Sequence, residues 1–190
     1  MGANPYRIEG YAIISADDMI ADAAGKQPPE LIVKADQRFF HRGLAGADVI
    51  VHGRFSHEGG TTAAGRKRLV LTRSIEGLAP HPRHVRALLW NPTGASFAQA
   101  LDALEVPGGV VAVIGGTETF GLFLDIGYAA FHLTRANRAR LPGGRPVFPG
   151  IPPRTPEDIL AAHGLEAGPP QLLDAASDAT LVTWSARSPV

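Results

Sequence analysis

Short unbroken apolar runs alternate along this chain with stretches in which apolar residues recur every three or four positions. The runs predict buried strands and the recurrences predict helices packed on them. Tyr11 to Ser15 is the first run, broken at Ala16-Asp17-Asp18 and resumed at Met19 to Ala21 before a loop over Ala23 to Pro29. Leu31, Val33, Ala35, Phe39, Phe40 and Leu44 fit one face of a helix beginning near Val33. Strands follow at Asp48 to His52, Lys67 to Thr72 and Ala87 to Trp90, with a short helix expected over Arg54 to Glu58. Ser96 stands where an N-cap belongs, ahead of Phe97, Leu101 and Leu104, and Pro107-Gly108-Gly109 closes that helix.

The run from Val110 to Ile114 leads straight into Gly115-Gly116, and Thr117 to Leu124 is helix-compatible. Strand, tight glycine turn and helix N-terminus in that order form an anion site, because the first amides of a helix have no partner within it. The plainer reading of the pair is a turn and nothing more. Tyr128 to Thr134 is the next strand. Beyond Ala136 the chain becomes rich in proline and glycine, with a helix-like piece at Glu157 to Leu165 and strand-like pieces at Gln171 to Leu173 and Thr180 to Ser185. Alternating strands and helices followed by such a tail predict one α/β domain over 1–190, with a mixed sheet and an antiparallel C-terminal edge.

Composition narrows the chemistry. A chain of 190 residues supports one substantial core. Eighteen Lys and Arg balance eighteen Asp and Glu, so no global field draws nucleic acid or an anionic membrane, and phosphate binding has to be local. The absence of cysteine removes disulfides, thiolate metal sites and thiol nucleophiles, and suits a reducing cytoplasm. The N-terminus lacks the apolar core of an export signal, and no run approaches the ~18 apolar residues of a membrane span. His52, His57 and Glu58 invite a metal reading, but the two histidines are five apart across a strand-to-helix turn, and no metal is expected.

Several segments, in order, resemble the dihydrofolate reductases and, more loosely, the reductase domain of riboflavin synthesis. Ala35-Asp36-Gln37-Arg38-Phe39-Phe40 is similar to the family's helix carrying its active-site carboxylate. Gly53-Arg54-Phe55-Ser56 matches the Gly-Arg-x-Ser/Thr that ends a strand. Gly65 to Ser74 resembles the Gly-Arg segment leading to Leu-Thr-Arg, Gly115-Gly116 with Phe120 the glycine turn, Phe131 to Thr134 the following strand, and Arg145 to Pro149 the late Phe-Pro. The resemblance spans about residues 10 to 150. It implies a three-layer α/β/α fold with a central mixed, mostly parallel sheet, NADPH as cofactor, and reduction of 7,8-dihydrofolate to tetrahydrofolate by hydride transfer.

On that resemblance Asp36 is the catalytic group at the pterin, with Ala12, Ile20, Phe40 and Thr134 around it and Arg66 at the substrate's tail carboxylate. The cofactor falls to Ser15, to Gly53, Arg54, Phe55 and Ser56, to Thr72, Arg73 and Ser74, and to Ile114, Gly115, Gly116, Thr117, Glu118, Thr119 and Phe120. Physical reasons accompany several of these. A half-buried carboxylate gains a raised pKa, suited to protonating a substrate near neutrality. A guanidinium binds a carboxylate through two parallel bonds. Arg73 between two hydroxyls at a strand end suits the ribose 2′-phosphate that separates NADPH from NADH. Each has a plainer alternative: Asp36 as a first-turn charge, Arg66 with Lys67 and Arg68 as a solvated cluster, Ala12 and Ile20 as core.

Two departures bear on the substrate. Ala23 to Lys34 holds no tryptophan, which the family's loop usually carries, and the interval from Asp36 to Gly53 is a residue longer than is common there. A pyrimidine reductase of the riboflavin type, sharing the NADPH half, is the competing enzyme reading. A nucleotide-binding module without turnover is the non-enzymatic one. Monomer and homodimer are both compatible with the sequence.

Overall fold

Strand β1 (Tyr6–Ser15) is the axis around which the sheet is built. It pairs in parallel with β7 (Gly109–Val113) on one side and β8 (Ala130–Ala136) on the other. The structure, a computed structural model, describes residues 5–56 and 65–187. Beyond β7 the parallel array continues through β3 (Val49–Gly53), β4 (Arg68–Leu71) and β6 (Ala87–Trp90), and β5 (Leu78–Pro80) adds an antiparallel edge. On the far side of β8 the antiparallel β12 (Ala179–Ala186) carries β10 (Leu165–Ala167) and β11 (Gln171–Asp174). These ten strands form one mixed, mostly parallel sheet. A separate two-stranded ribbon pairs β2 (Met19–Ala21) with β9 (Arg145–Pro146).

The period of two along each strand divides the core into layers. Ile8 and Ile14 of β1, Val49 and Val51 of β3, and Val111 and Val113 of β7 share one cluster with Leu101 of α2 (Phe97–Ala103), Phe120 and Phe123 of α3 (Thr117–Ile126), and Ile159 and Leu160 of α4 (Pro156–Ala162). Tyr11, Ile50 and Ala112 face the other way, against Leu44, Phe39 and Phe40 of α1 (Lys34–Ala45). The expected three layers are therefore present, with α1 covering one face and the other helices the opposite one.

Local chemistry accounts for the element boundaries. Ser96 Oγ accepts from the Gln99 amide, and the Gln99 side chain accepts from the Ser96 amide, a complete capping box that starts α2. Thr155 and Asp158 do the same for α4, with Pro156 in the first turn. Ser96→Ala is expected to cost about 1 kcal/mol, read as a lower urea midpoint at unchanged slope.

Three expectations need correction. Arg54 and Phe55 form a turn rather than a helix, because β3 runs on through Gly53; Glu58 and His57 lie outside the described residues. Tyr128 precedes its strand, since Gly127 at φ 105° ends α3 and the ladder on β1 begins at Ala130. The helix after Pro153 stops at Ala162, and Leu165 already pairs with β12.

Candidate active site

The chain leaves β1 toward β3 through α1 on one face of the sheet and leaves β7 toward β8 through α3 on the other. That divergence opens a crevice at the carboxyl ends of the central strands, where open α/β sheets take their ligands. A cleft of about 850 Å³ lies there, of the size that suits small-molecule and cofactor sites. A shallower groove of about 630 Å³ adjoins it and shares Gly53, Arg54, Glu118 and Thr119.

One end of the cleft is built on the glycine turn. Ile114 donates to the Val51 carbonyl and Gly53 to the Gly115 carbonyl, so β3 and β7 stay paired to their ends and carry Gly53, Gly115 and Gly116 to the rim. Gly115 has φ 118°, open in practice only to glycine, and an added Cβ would lie in contact with the Phe120 ring at 3.4 Å. Gly116 is the N-cap of α3 and has no side chain to cap it, so the first amides of that helix are turned toward the cleft without a side-chain acceptor. Thr117 Oγ1 donates to the Pro146 carbonyl at 2.5 Å, tying the helix start to the β2–β9 ribbon. Arg54 lies over the ring of Phe55, which is 77 % exposed at the rim.

The other end is built on α1 and β8. Asp36 lies in the first turn of α1, and Thr134 on β8 hydrogen-bonds its carboxylate. Burial nevertheless outweighs that bond and raises the Asp36 pKa above the ordinary carboxylate value. Ala12, Ile20 and Phe40 line the same end.

Other predicted residues lie apart from the main cleft. Thr72 and Arg73 line the adjoining groove, and the Thr72 and Ser74 hydroxyls bond each other at 2.8 Å. Arg73 pairs with Glu118 at 3.2 Å, both well exposed. Ser15 is fully buried, its hydroxyl bonded to Asp17 and accepting from the Met19 amide. Arg66 donates to the Leu44 carbonyl near the end of α1 and does not line the cleft. His52 is buried on β3 with Nδ1 2.8 Å from the Gly53 carbonyl, and among the described residues no three His, Asp or Glu gather as a metal site would require.

Tyr11 and His132 also line the Asp36 end beside Phe39, and Arg145 and Pro146 line the cleft as well, and none of these four stands out in the sequence as a site residue. Tyr11 sits next to Ala12, but only pairing of β1 with β8 reveals that His132 is its neighbour.

No family model matches the sequence, and no curated protein matches it. The solved structures do. A protein from Shewanella sp. PV-4 assigned to riboflavin biosynthesis superposes over 96 % of this chain and 99 % of its own, with a TM-score of 0.64 at 17 % identity. The chain has the dihydrofolate reductase-like fold. Dihydrofolate reductase from Enterococcus faecalis, complexed with NADP(H) and RAB-propyl, matches 94 % of this chain and 95 % of its own, with a TM-score of 0.63 at 16 % identity. The diaminohydroxyphosphoribosylaminopyrimidine deaminase/5-amino-6-(5-phosphoribosylamino)uracil reductase from Thermotoga maritima matches 97 % of this chain, which spans 57 % of that longer protein, with a TM-score of 0.61 at 16 % identity. Among the described residues no helix is long and apolar enough to cross a membrane.

Proposed function

We propose that this chain is an NADPH-dependent reductase that delivers hydride to an unsaturated ring of a small heterocycle, with 7,8-dihydrofolate the first candidate substrate. The observation that carries the reading is the meeting, in one cleft, of a partly buried carboxylate with raised pKa and a glycine turn at an uncapped helix N-terminus.

The residues present fit the cofactor. Gly115 and Gly116 leave a cradle that side chains would narrow, the α3 amides suit a pyrophosphate, and Arg54 and Arg73 stand along the adjoining groove where further phosphate charge would lie. When bound, NADPH supplies the hydride. The protein's part is alignment, exclusion of water and a proton. Reduction of a C=N bond consumes one hydride and one proton. Asp36 in its protonated form holds that proton at the ring through its O–H, and its carbonyl oxygen can accept from a ring N–H while Thr134 fixes the orientation.

A second reading, a pyrimidine reductase of the riboflavin type, is favoured by one feature. Arg66, the cation that a folate tail would need, is engaged at Leu44 instead of lining the cleft. The two substrates separate in a direct comparison of kcat/KM for 7,8-dihydrofolate and for a phosphoribosylaminouracil. A higher value for the former supports the first reading and a higher value for the latter replaces it. NADPH binding with no turnover of either makes the chain a nucleotide-binding module.

Cofactor choice gives a separate test. Arg73→Ala is expected to shrink the preference for NADPH over NADH about tenfold, the size of one charge-assisted hydrogen bond. Dissociation constants from fluorescence titration measure it, and an unchanged ratio would remove Arg73 from the 2′-phosphate.

A further inference from the structure

The inner wall of the substrate end is made by two side chains that the proposed chemistry does not use. Tyr11 and His132 are register partners on β1 and β8, with ring centroids 4.7 Å apart and planes inclined by 30°. Both line the cleft. His132 lies two residues from Thr134 on the same strand, so its side chain leaves the same face as the hydroxyl that bonds Asp36.

A polar chain holds this stack in place. The Tyr11 hydroxyl donates to Glu9 Oε2 at 2.6 Å, His132 Nε2 lies 3.7 Å from the same oxygen, and Arg7 Nε donates to Glu9 Oε1 at 2.6 Å. His132 Nδ1 meets Thr183 Oγ1 at 3.0 Å, which adds the antiparallel neighbour β12. The Glu9 and His132 side chains are each only 14 % exposed. The bond to His132, aided by those from Tyr11 and Arg7, lowers the Glu9 pKa to about 2 although burial pushes it the other way. Burial and the bond to Glu9 raise the Tyr11 pKa, so the phenol stays protonated and its ring is a fixed neutral plate.

Helix α1 rests on that plate. Phe39 lies 6.2 Å from the Tyr11 ring and 5.2 Å from His132, and Phe40 lies 6.2 Å from Tyr11. One turn on, Gly43 comes so close that an added Cβ would sit 2.5 Å from the Tyr11 hydroxyl oxygen. Asp36 precedes Phe39 and Phe40 by three and four residues, on the same face of the helix. The height of the stack therefore sets the height of Asp36 over the sheet.

We propose that the Glu9–His132–Tyr11 unit is a positioning device that fixes α1, and with it Asp36, at the depth where a planar heterocycle fits between helix and sheet. A buried polar network of this kind specifies one arrangement where an apolar filling would permit several. The inference rests on the reductase reading, but its test does not rest on turnover alone.

His132→Phe keeps a ring in the stack and removes both polar links. In that variant KM for the heterocycle is expected to rise and kcat to fall, together lowering kcat/KM about tenfold, because a small displacement of Asp36 is felt at the reacting atoms. NADPH affinity should be unchanged. His132→Gln, which keeps a donor toward Glu9, should recover part of the loss. Backbone hydrogen exchange over residues 34–45 is read in parallel, with NADPH bound, and should quicken in His132→Phe. Unchanged kcat/KM and unchanged exchange in a folded, NADPH-binding variant would overturn the proposal. Faster exchange in a protein whose wild type reduces neither heterocycle would uphold the positioning role and reject the reductase reading.

Discussion

Asp36→Asn is expected to lower turnover by about 10²–10⁴-fold, the usual worth of a positioned acid, while NADPH affinity stays at the wild-type value. The amide keeps the shape of the carboxyl and its contact with Thr134 but has no proton to give. The pH dependence follows from the raised pKa of Asp36, whose cause is burial. Stability contributed by the neutral carboxyl is fully present below the unfolded-state pKa and is lost as pH rises through the higher folded-state value. Above that folded-state value the wild-type protein carries a buried charge that Asn does not. Thermal unfolding of Asp36→Asn above that pH should show a Tm at or above wild type, with each 1 kcal/mol recovered appearing as about 2–4 °C. Turnover that depends on the protonated carboxyl should fall as pH rises through the same pKa, and the variant's residual rate should be flat there. Equal losses in turnover and NADPH affinity would make Asp36 a structural residue.

Gly115→Ala carries the second large effect. The φ of 118° lies where residues with a β-carbon are strained by about 1–3 kcal/mol, and the added methyl would meet Phe120 at 3.4 Å and Ser56 Oγ at 3.5 Å. Relief requires movement of the turn that aims the α3 amides. NADPH is expected to bind about 10–100-fold more weakly, as for loss of one charge-assisted hydrogen bond, alongside a lower urea midpoint. Gly116→Ala is the control: φ there is −66°, and the nearest neighbour of a new Cβ, Ser56 Oγ, is at ordinary contact distance, 3.6 Å. A smaller loss at Gly116 than at Gly115 identifies turn geometry, rather than bulk in the cleft, as the cause. Equal, small losses at both would detach the turn from cofactor binding.

The physical reasons that made parts of this molecule readable in its sequence also explain what was not. Val110 to Ile114 followed by two glycines reads as strand and turn because an unbroken run of branched or small apolar residues has few other uses and glycine is needed where φ is positive. Ser96 and Gln99 announce a helix start through side chains that bond the local backbone. Asp36 stood out as a carboxylate at the head of an apolar helix face, although its burial could not be read without the sheet beneath it. The first half of β1 was hidden because Arg7, Glu9 and Gly10 interrupt its pattern, and Glu9 is matched by His132, over a hundred residues away. β5 and β9 are too short and too proline-bearing to carry a period. Arg66 reads as a cleft cation through the Gly65-Arg66 resemblance and the fit of a guanidinium to a carboxylate, whereas its direction is decided by the carbonyl of Leu44. Contacts that depend on register or crossover cannot be read from local pattern.

The most direct test of the account is the decay of NADPH absorbance when 7,8-dihydrofolate is added to the purified protein, run beside a phosphoribosylaminouracil, a control without heterocycle, and Asp36→Asn. The account predicts oxidation that requires a heterocycle and collapses in the variant. NADPH that stays reduced in the presence of both heterocycles, or oxidation that Asp36→Asn leaves untouched, would contradict it.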